Sequence, residues 1–282
     1  MEQALEQIRE QQKQTWDTFA PGWKKWDNWV MTFIRPAADE IIRHLELKET
    51  DVVLDVATGT GEPGLSIASI VKKGKVVGSD LSPGMLAVAK ENAARKNISN
   101  YETVECDVTR MPFPDATFDV ISCRFGFMFF PDMLMAAKEM VRVLKPGGRI
   151  ATTVWGPPPN NFWITSFMGP ITKNMQLPPP PAGSPGMFRC ANVDEMTNLF
   201  KQAGLKNISH NDINGKAEAE NVDFLWTYMN EVAAPVVAAL SKADDSMRLK
   251  IKKEIAEGIR QKYNTEGPLK MDFQAVLYYG EK

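Results

Sequence analysis

The chain has little from which to build several common kinds of site. Of 282 residues, 2 are histidine and 3 are cysteine. Cys106, Cys123 and Cys190 are odd in number and lack metal-ligand spacing, so neither a zinc site nor a disulfide framework organises the fold, and packing is their expected role. His44 and His210 form no Ser-His-Asp or zinc pattern and read as structural. No apolar run reaches the ~20 residues that cross a bilayer, and the glutamine- and glutamate-rich stretch from Met1 to Trp16 is no signal peptide. No integral membrane segment is therefore expected, and the location is expected to be cytoplasmic. A net charge of −2 offers no broad basic face for nucleic acid. The basic run Arg248, Lys250, Lys252 and Lys253 is broken by Ile251 and reads as a solvated helix face. No flexible linker divides the chain, and 44% hydrophobic residues suffice for a substantial core.

What is present is an apolar strand that ends on an acid and breaks into a glycine turn, Val52-Val53-Leu54-Asp55-Val56-Ala57-Thr58-Gly59-Thr60-Gly61. Gly59, Gly61 and Gly64 spell the G-x-G-x-x-G pattern of dinucleotide sites. Asp55 argues against a pyrophosphate, which would bring two more negative charges beside that carboxylate. S-adenosyl-L-methionine has no phosphate, and its ammonium and sulfonium suit an acid in a partly dry cleft. A second strand, Lys75 to Asp80, ends in an acid 25 positions after Asp55, placed to accept both ribose hydroxyls. A third, Tyr101 to Asp107, ends in an acid suited to the adenine amino group, with Val108 as apolar contact. Phe118 to Phe125 reads as a fourth strand and Arg149 to Trp155 as a fifth. Between them, Leu144-Lys145-Pro146-Gly147-Gly148 reads as a helix end and forced turn.

On these motifs, together with Gly78-Ser79-Asp80-Leu81-Ser82-Pro83-Gly84-Met85, Cys106-Asp107-Val108 and Pro112-Phe113, residues 50 to 156 resemble the class I S-adenosylmethionine-dependent methyltransferases. The resemblance is to the ubiquinone- and menaquinone-biosynthesis C-methyltransferase group in particular. It implies a donor site of Asp55, Ala57, Thr58, Gly59, Gly61, Asp80, Leu81, Met85, Asp107, Val108 and Arg124. Two positions depart from the family pattern. Ala57 replaces the usual first glycine, a variation the quinone-type enzymes share, and Met128 stands where those enzymes tend to carry arginine.

The expected fold is α/β: a Rossmann-like, mostly parallel seven-stranded sheet with helices on both faces, plus helical lid and cap insertions. Residues 1–35 read as a helical and aromatic lid, 36–219 as the core with a proline-rich loop at 156–190, 220–265 as a helical insertion and 266–282 as the final strand. Within the lid, a helix over the first dozen residues precedes a tryptophan-rich segment, and Arg35-Pro36 opens a second helix toward Leu47. Further helices are expected over Glu62 to Val71, with Pro63 in its first turn, Pro83 to Lys96, Pro131 to Leu144 and Asn192 to Ala203. Asn207 to Ala219 and Met271 to Tyr279 read as the sixth and seventh strands, an antiparallel edge pair by resemblance. Met247, Ile251, Ile255 and Ile259 give the insertion an apolar face.

The expected activity is in-line displacement of the sulfonium methyl by a nucleophile on a small, partly apolar acceptor, with positioning as the main catalytic device. Candidates to line the acceptor cavity are Trp16, Phe19, Trp23, Phe127, Trp155, Phe162 and Trp163; Asp17, His210 or a tyrosine could act as a base. Asn160-Asn161-Phe162 faintly resembles the amino-directed DNA methyltransferase motif, but after the wrong strand. A nicotinamide-dependent oxidoreductase and a non-catalytic S-adenosylmethionine-binding protein are the alternatives. A homo-oligomer stays open.

Overall fold

In the computed structural model, residues 2–181, 183–264 and 268–282 are described. The boundary placed at 265/266 between the helical insertion and the final strand lies outside them, as does residue 182 of the proline-rich loop. Seven strands form one sheet: β1 Val52–Val56, β2 Lys75–Asp80, β3 Tyr101–Glu105, β4 Phe118–Arg124, β5 Leu144–Trp155, β6 Lys206–Ala219 and β7 Leu269–Glu281. Their spatial order is β3-β2-β1-β4-β5-β7-β6, with β7 antiparallel to both β5 and β6 and every other pair parallel. Chain direction across the sheet reverses between β1 and β4. Right-handed crossovers therefore put the helices following these strands on opposite faces, and a crevice opens at their carboxyl ends.

The first helix corrects the sequence expectation. A single helix, α1 (Glu2–Leu45), replaces two helices and an aromatic spacer, and it runs through both Pro21 and Pro36. Both prolines face solvent, where water can satisfy the carbonyl each leaves without a donor. On the opposite face Ala20, Asp27, Val30, Phe33, Ile34, Ala37, Ile41 and Leu45 are buried at helical spacing, and this continuous stripe outweighs the local breakers.

The next helices are α2 (Gly64–Ala68), α3 (Pro83–Arg95) and α4 (Met133–Val143). α2 is shorter than expected, and Pro63 precedes its first residue instead of lying within its first turn. The Lys145 to Gly148 turn is also revised. β5 runs straight through it, absorbing the extra residues as a bulge where pairing jumps from Phe118–Leu144 to Val120–Arg149 and Gly147 takes φ +76°.

The expected proline-rich loop contains a helix, α5 (Phe162–Met175), because Trp163, Ile164, Phe167 and Ile171 bury one face. Asn161 fixes its start: its side chain donates to Gly156 O and Gln274 O and accepts from Gln274 N–H. The remaining helices are α6 (Val193–Ala203), α7 (Val222–Val232), α8 (Ala234–Leu240) and α9 (Asp245–Tyr263), the last three lying between β6 and β7. α9 buries Ile251, Ile255 and Ile259. α1 packs on α3 and α7 and crosses the sheet face from β4 to β6. At Gly22 it meets α7 so closely that a Cβ would lie 2.0 Å from Glu231 O. Among the described residues no helix is long and apolar enough to cross a membrane.

Candidate active site

The carboxyl ends of β1 and β4 hold the unusual backbone. After β1 the chain turns through Ala57 (φ +52°), Gly59 (φ +55°) and Gly61 (φ +111°), and after β4 Phe125 takes φ +56°. Left-handed backbone at alanine or phenylalanine costs on the order of 1–2 kcal/mol each, and such strain concentrates at functional sites. The two turns interlock at Gly126, where a Cβ would come within 2.5 Å of the Ala57 Cβ.

Asp55 lies beneath this turn, fully buried. Its Oδ1 accepts from Ser122 Oγ (2.6 Å) and its Oδ2 from Thr58 Oγ1 (2.5 Å) and Gly64 N–H (3.1 Å). Burial pushes its carboxyl up to about 6, against the opposing pull of these hydrogen bonds and of the Arg124 charge. With both oxygens engaged, Asp55 sets the shape of the glycine turn from below. Thr58 Oγ1 also lies 2.8 Å from the Tyr101 hydroxyl, tying the turn to β3.

Asp80, at the end of β2, accepts from Gly59 N–H (2.9 Å) and Ser82 N–H (3.0 Å), joining the first two strand-end loops. Burial raises its pKa, opposed by those backbone donors. Leu81 follows, and Met85 N–H is capped by Ser82 Oγ at 3.0 Å. Asp107 accepts from Thr109 N–H (2.9 Å) and Thr109 Oγ1 (2.8 Å), with half-buried Val108 between. The residues the sequence singles out for the donor thus lie along the ends of β1, β2 and β3, with Arg124 at the end of β4.

α1 runs over these ends and touches nearly every one. Arg9 pairs with Asp107 (2.5 Å) and Lys13 with Glu105 (2.5 Å). Asp17 accepts from Ser82 Oγ and from Gly84 N–H (3.0 Å). Buried Asp27 accepts from Thr60 Oγ1 (2.6 Å) and Asn92 Nδ2 (3.3 Å), and the same amide reaches Thr60 O at 2.8 Å. Arg124 Nη1 meets Met31 Sδ at 3.2 Å. Arg9, Asp27, Thr60, Asn92 and Ser122 escape the sequence reading. Only Asp27 leaves a local trace there, as an acid on the apolar stripe of a tryptophan-rich helix.

The aromatic residues divide into separate groups. Trp16 lies against Trp23 and Phe129 (ring centroids 6.3 and 5.2 Å). Trp155 stacks on Phe125 (4.3 Å) and meets Trp163 (5.3 Å), which in turn meets Phe33 of α1 (5.4 Å). Phe127 joins neither group and packs in the core with Phe130 and Phe200. Phe162 faces Tyr263 and Lys262 of α9. Phe19 is half-buried on α1. Of the candidate bases, Asp17 caps α3 as above, and exposed His210 sits on the outermost strand, far along the sheet from β1. His44 bridges Glu40 O and Asn211 beside the Tyr279 ring.

Residues 53–148 match the family model described as a methyltransferase domain. A demethylmenaquinone methyltransferase of Bacillus subtilis is 30% identical over 200 residues, covering 65% of this chain and 83% of that one. The chain belongs to the class I S-adenosylmethionine-dependent methyltransferases, in the menaquinone and ubiquinone group. A demethylmenaquinone methyltransferase of Deinococcus radiodurans is 40% identical over 134 residues, 47% of this chain and 53% of that one. The chain thus spans about half the length of some curated relatives it matches. The crystal structure of the YcgJ protein from Bacillus subtilis shares the fold, with a TM-score of 0.57 at 21% identity, covering 87% of this chain and 97% of that one. Membership of this family leaves no ground for the nicotinamide reading of the glycine pattern.

Proposed function

We propose that this chain is a methyltransferase that binds S-adenosyl-L-methionine at the ends of β1, β2 and β3 and methylates a small, quinone-like ring. The observation that carries the donor site is the Gly59–Asp80 junction. There a half-buried acid at the end of β2 meets a turn held at positive φ, and a Cβ at Gly59 would have nothing within 4 Å, so the turn leaves room above it. Asp80 suits the ribose hydroxyls and Asp107 the adenine amino group, while Asp55 fixes the turn and contributes negative charge beneath a cationic ligand.

When bound, the donor supplies an activated methyl group whose departure from sulfur leaves a neutral thioether. The work left to this chain is to bind, to orient the nucleophile in line with the methyl carbon and to exclude water, effects that reach several kcal/mol. The ring formed by Phe33, Phe125, Trp155 and Trp163 beside β4 and β5 supports a flat, partly apolar acceptor. The substrate named for the relatives supports a quinol in particular. We place this reaction in the cytoplasm.

Parallel calorimetric titration with S-adenosylmethionine and NAD tests the donor: saturable binding of the first alone is expected, and the reverse overturns the assignment. Release of S-adenosylhomocysteine with a demethylated naphthoquinol, and none when the ring is replaced by a primary amine, tests the acceptor. Donor binding without turnover on any ring acceptor would leave a binding protein instead.

A further inference from the structure

Arg124 is a half-buried cation whose surroundings are negative but already committed. Burial lowers its pKa while Glu62, Asp55 and Asp27 support its charge from a distance. Each of those acids is engaged elsewhere: Asp55 with Ser122, Thr58 and Gly64, Glu62 with Lys96 and Ser66 N–H, Asp27 with Thr60 and Asn92. Among the described residues no carboxylate forms an ion pair with Arg124. Its Nη1 meets only the Met31 thioether, a weak acceptor on a flexible side chain, and its Nε is buried with no partner.

Two further buried donors without partners belong to the same neighbourhood. Thr153 pairs with Arg124 across β4 and β5, so both side chains project from the same face of the sheet, and Thr153 Oγ1 is buried and unpaired. Trp155, two residues on, shares that face and contacts Trp163, whose indole Nε1 is likewise buried and unpaired. Buried donors are rarely left unpaired, because each forfeits roughly 1–3 kcal/mol and a charged one more. Three such donors on one sheet face, beside an aromatic wall, leave hydrogen-bonding capacity that an acceptor from outside the chain can fill.

We propose that Arg124, Thr153 and Trp163 form the oxygen-binding subsite of the methyl acceptor, and that its ligand is a flat ring carrying a deprotonated enolate or phenolate oxygen. This rests on the methyltransferase reading above and goes further, moving Arg124 from the donor to the acceptor. A guanidinium in low dielectric lowers the pKa of a ring hydroxyl beside it. The acceptor is then bound as the anion, whose ring carbons or oxygen are nucleophilic, and no protein base is needed to ionise it in place. As the ring's electron pair forms the new bond to the methyl carbon, the C–S bond breaks; where carbon is methylated, its proton passes to water and the ring hydroxylate is restored. The position also fits. Arg124 shares its sheet face with Ser122, which holds Asp55, and with Thr153 and Trp155 of β5, so it lies between the donor turn and the proposed ring site.

The test uses the full chain saturated with S-adenosylhomocysteine and two inert bicyclic probes, 4-hydroxycoumarin, an enolate at neutral pH, and neutral coumarin. Wild type is expected to bind 4-hydroxycoumarin roughly tenfold or more tighter than coumarin, the size of one charged hydrogen bond. Arg124→Gln should abolish that preference while leaving S-adenosylhomocysteine affinity within about twofold, and Arg124→Lys should restore part of it. Trp163→Phe and Thr153→Val, which keep ring and shape, should each weaken 4-hydroxycoumarin several-fold and coumarin little. In wild type, the preference should fade as pH falls through the probe's own ionisation. Equal binding of the two probes, binding of neither, or Arg124→Gln weakening S-adenosylhomocysteine while the preference survives would overturn the assignment. The last result would return Arg124 to the donor's carboxylate. Failure of wild type to bind S-adenosylmethionine or S-adenosylhomocysteine at all would instead sink the methyltransferase reading, which separates the two claims.

Discussion

The two halves of α1 are attached to the same sheet by different physics. From Val30 to Leu45 the helix is held by burial: Val30, Phe33, Ile34, Ala37, Ile41 and Leu45 are at most 5% exposed. Over residues 5–19 no side chain is buried, and besides the Trp16–Phe129 ring contact the helix is held by Arg9–Asp107, Lys13–Glu105 and the Asp17 hydrogen bonds to Ser82 and Gly84. Burial is non-directional and insensitive to salt, whereas partly exposed ion pairs contribute about 0–1 kcal/mol each and are screened. One helix can therefore be core at one end and a detachable cover at the other. The detachable end lies on Asp107 and beside the Asp80–Ser82 turn, so it is expected to lift for the donor to enter and to close again over the bound donor.

The largest effect tests the buried half. Ile41→Ala should cost about 2–5 kcal/mol of stability, read as a lower denaturation midpoint, because a fully buried side chain leaves a cavity. A cost below 1 kcal/mol would show that this half is no more anchored than the first.

Next comes the site beneath the cover. Asp80→Ala should weaken S-adenosylmethionine by roughly ten- to several-hundredfold in calorimetry, the loss of one or two charged hydrogen bonds. It should cost only about 0.5–2 kcal/mol of unliganded stability through the Gly59 and Ser82 contacts. Unchanged donor affinity in a folded variant would remove the ribose assignment.

The interior beneath the cover should also respond to pH. Asp55 is raised from 3.8 to about 6 by burial, so between these values the native state binds more protons than the unfolded chain. Its contribution is fully present below about pH 4 and is lost as pH rises through 6, by at most roughly 3 kcal/mol. The stability difference between wild type and Asp55→Asn should therefore shift in favour of the variant as pH rises from 4 to 6; a flat difference would show that Asp55 ionises normally.

The smallest effect in free energy is Arg9→Ala, expected to cost no more than about 1 kcal/mol. Hydrogen exchange is the sensitive readout. Amides of residues 5–19 should exchange faster in Arg9→Ala and in high salt, and slower with S-adenosylmethionine bound, while those of residues 30–45 stay unchanged. Uniform protection along α1 in all conditions would make it a fixed layer.

The proposed donor site was readable because its signals are local. An apolar run ending on Asp55, Asp80 or Asp107 marks a strand and its carboxyl end together, and Gly59 and Gly61 mark the turn. Helix continuity was not readable. Pro21, Pro36 and Pro170 argue locally for breaks, and only the buried stripes of α1 and α5 override them. The glycine-rich turn before Arg149 misled for the same reason, since pairing on both sides of β5 carries the strand through a bulge.

Sequence alone therefore determined the strand ends, the acids on them and the family, because each depends on residues a few positions apart. Tertiary structure alone decided which acids are taken and which cation is not. Arg9 meets Asp107, Asp27 meets Thr60 and Asn92, and Arg124 meets Thr153 and Met31 across separations no local pattern spans. Charge and burial become function only once packing has determined which groups keep a partner and which lack one.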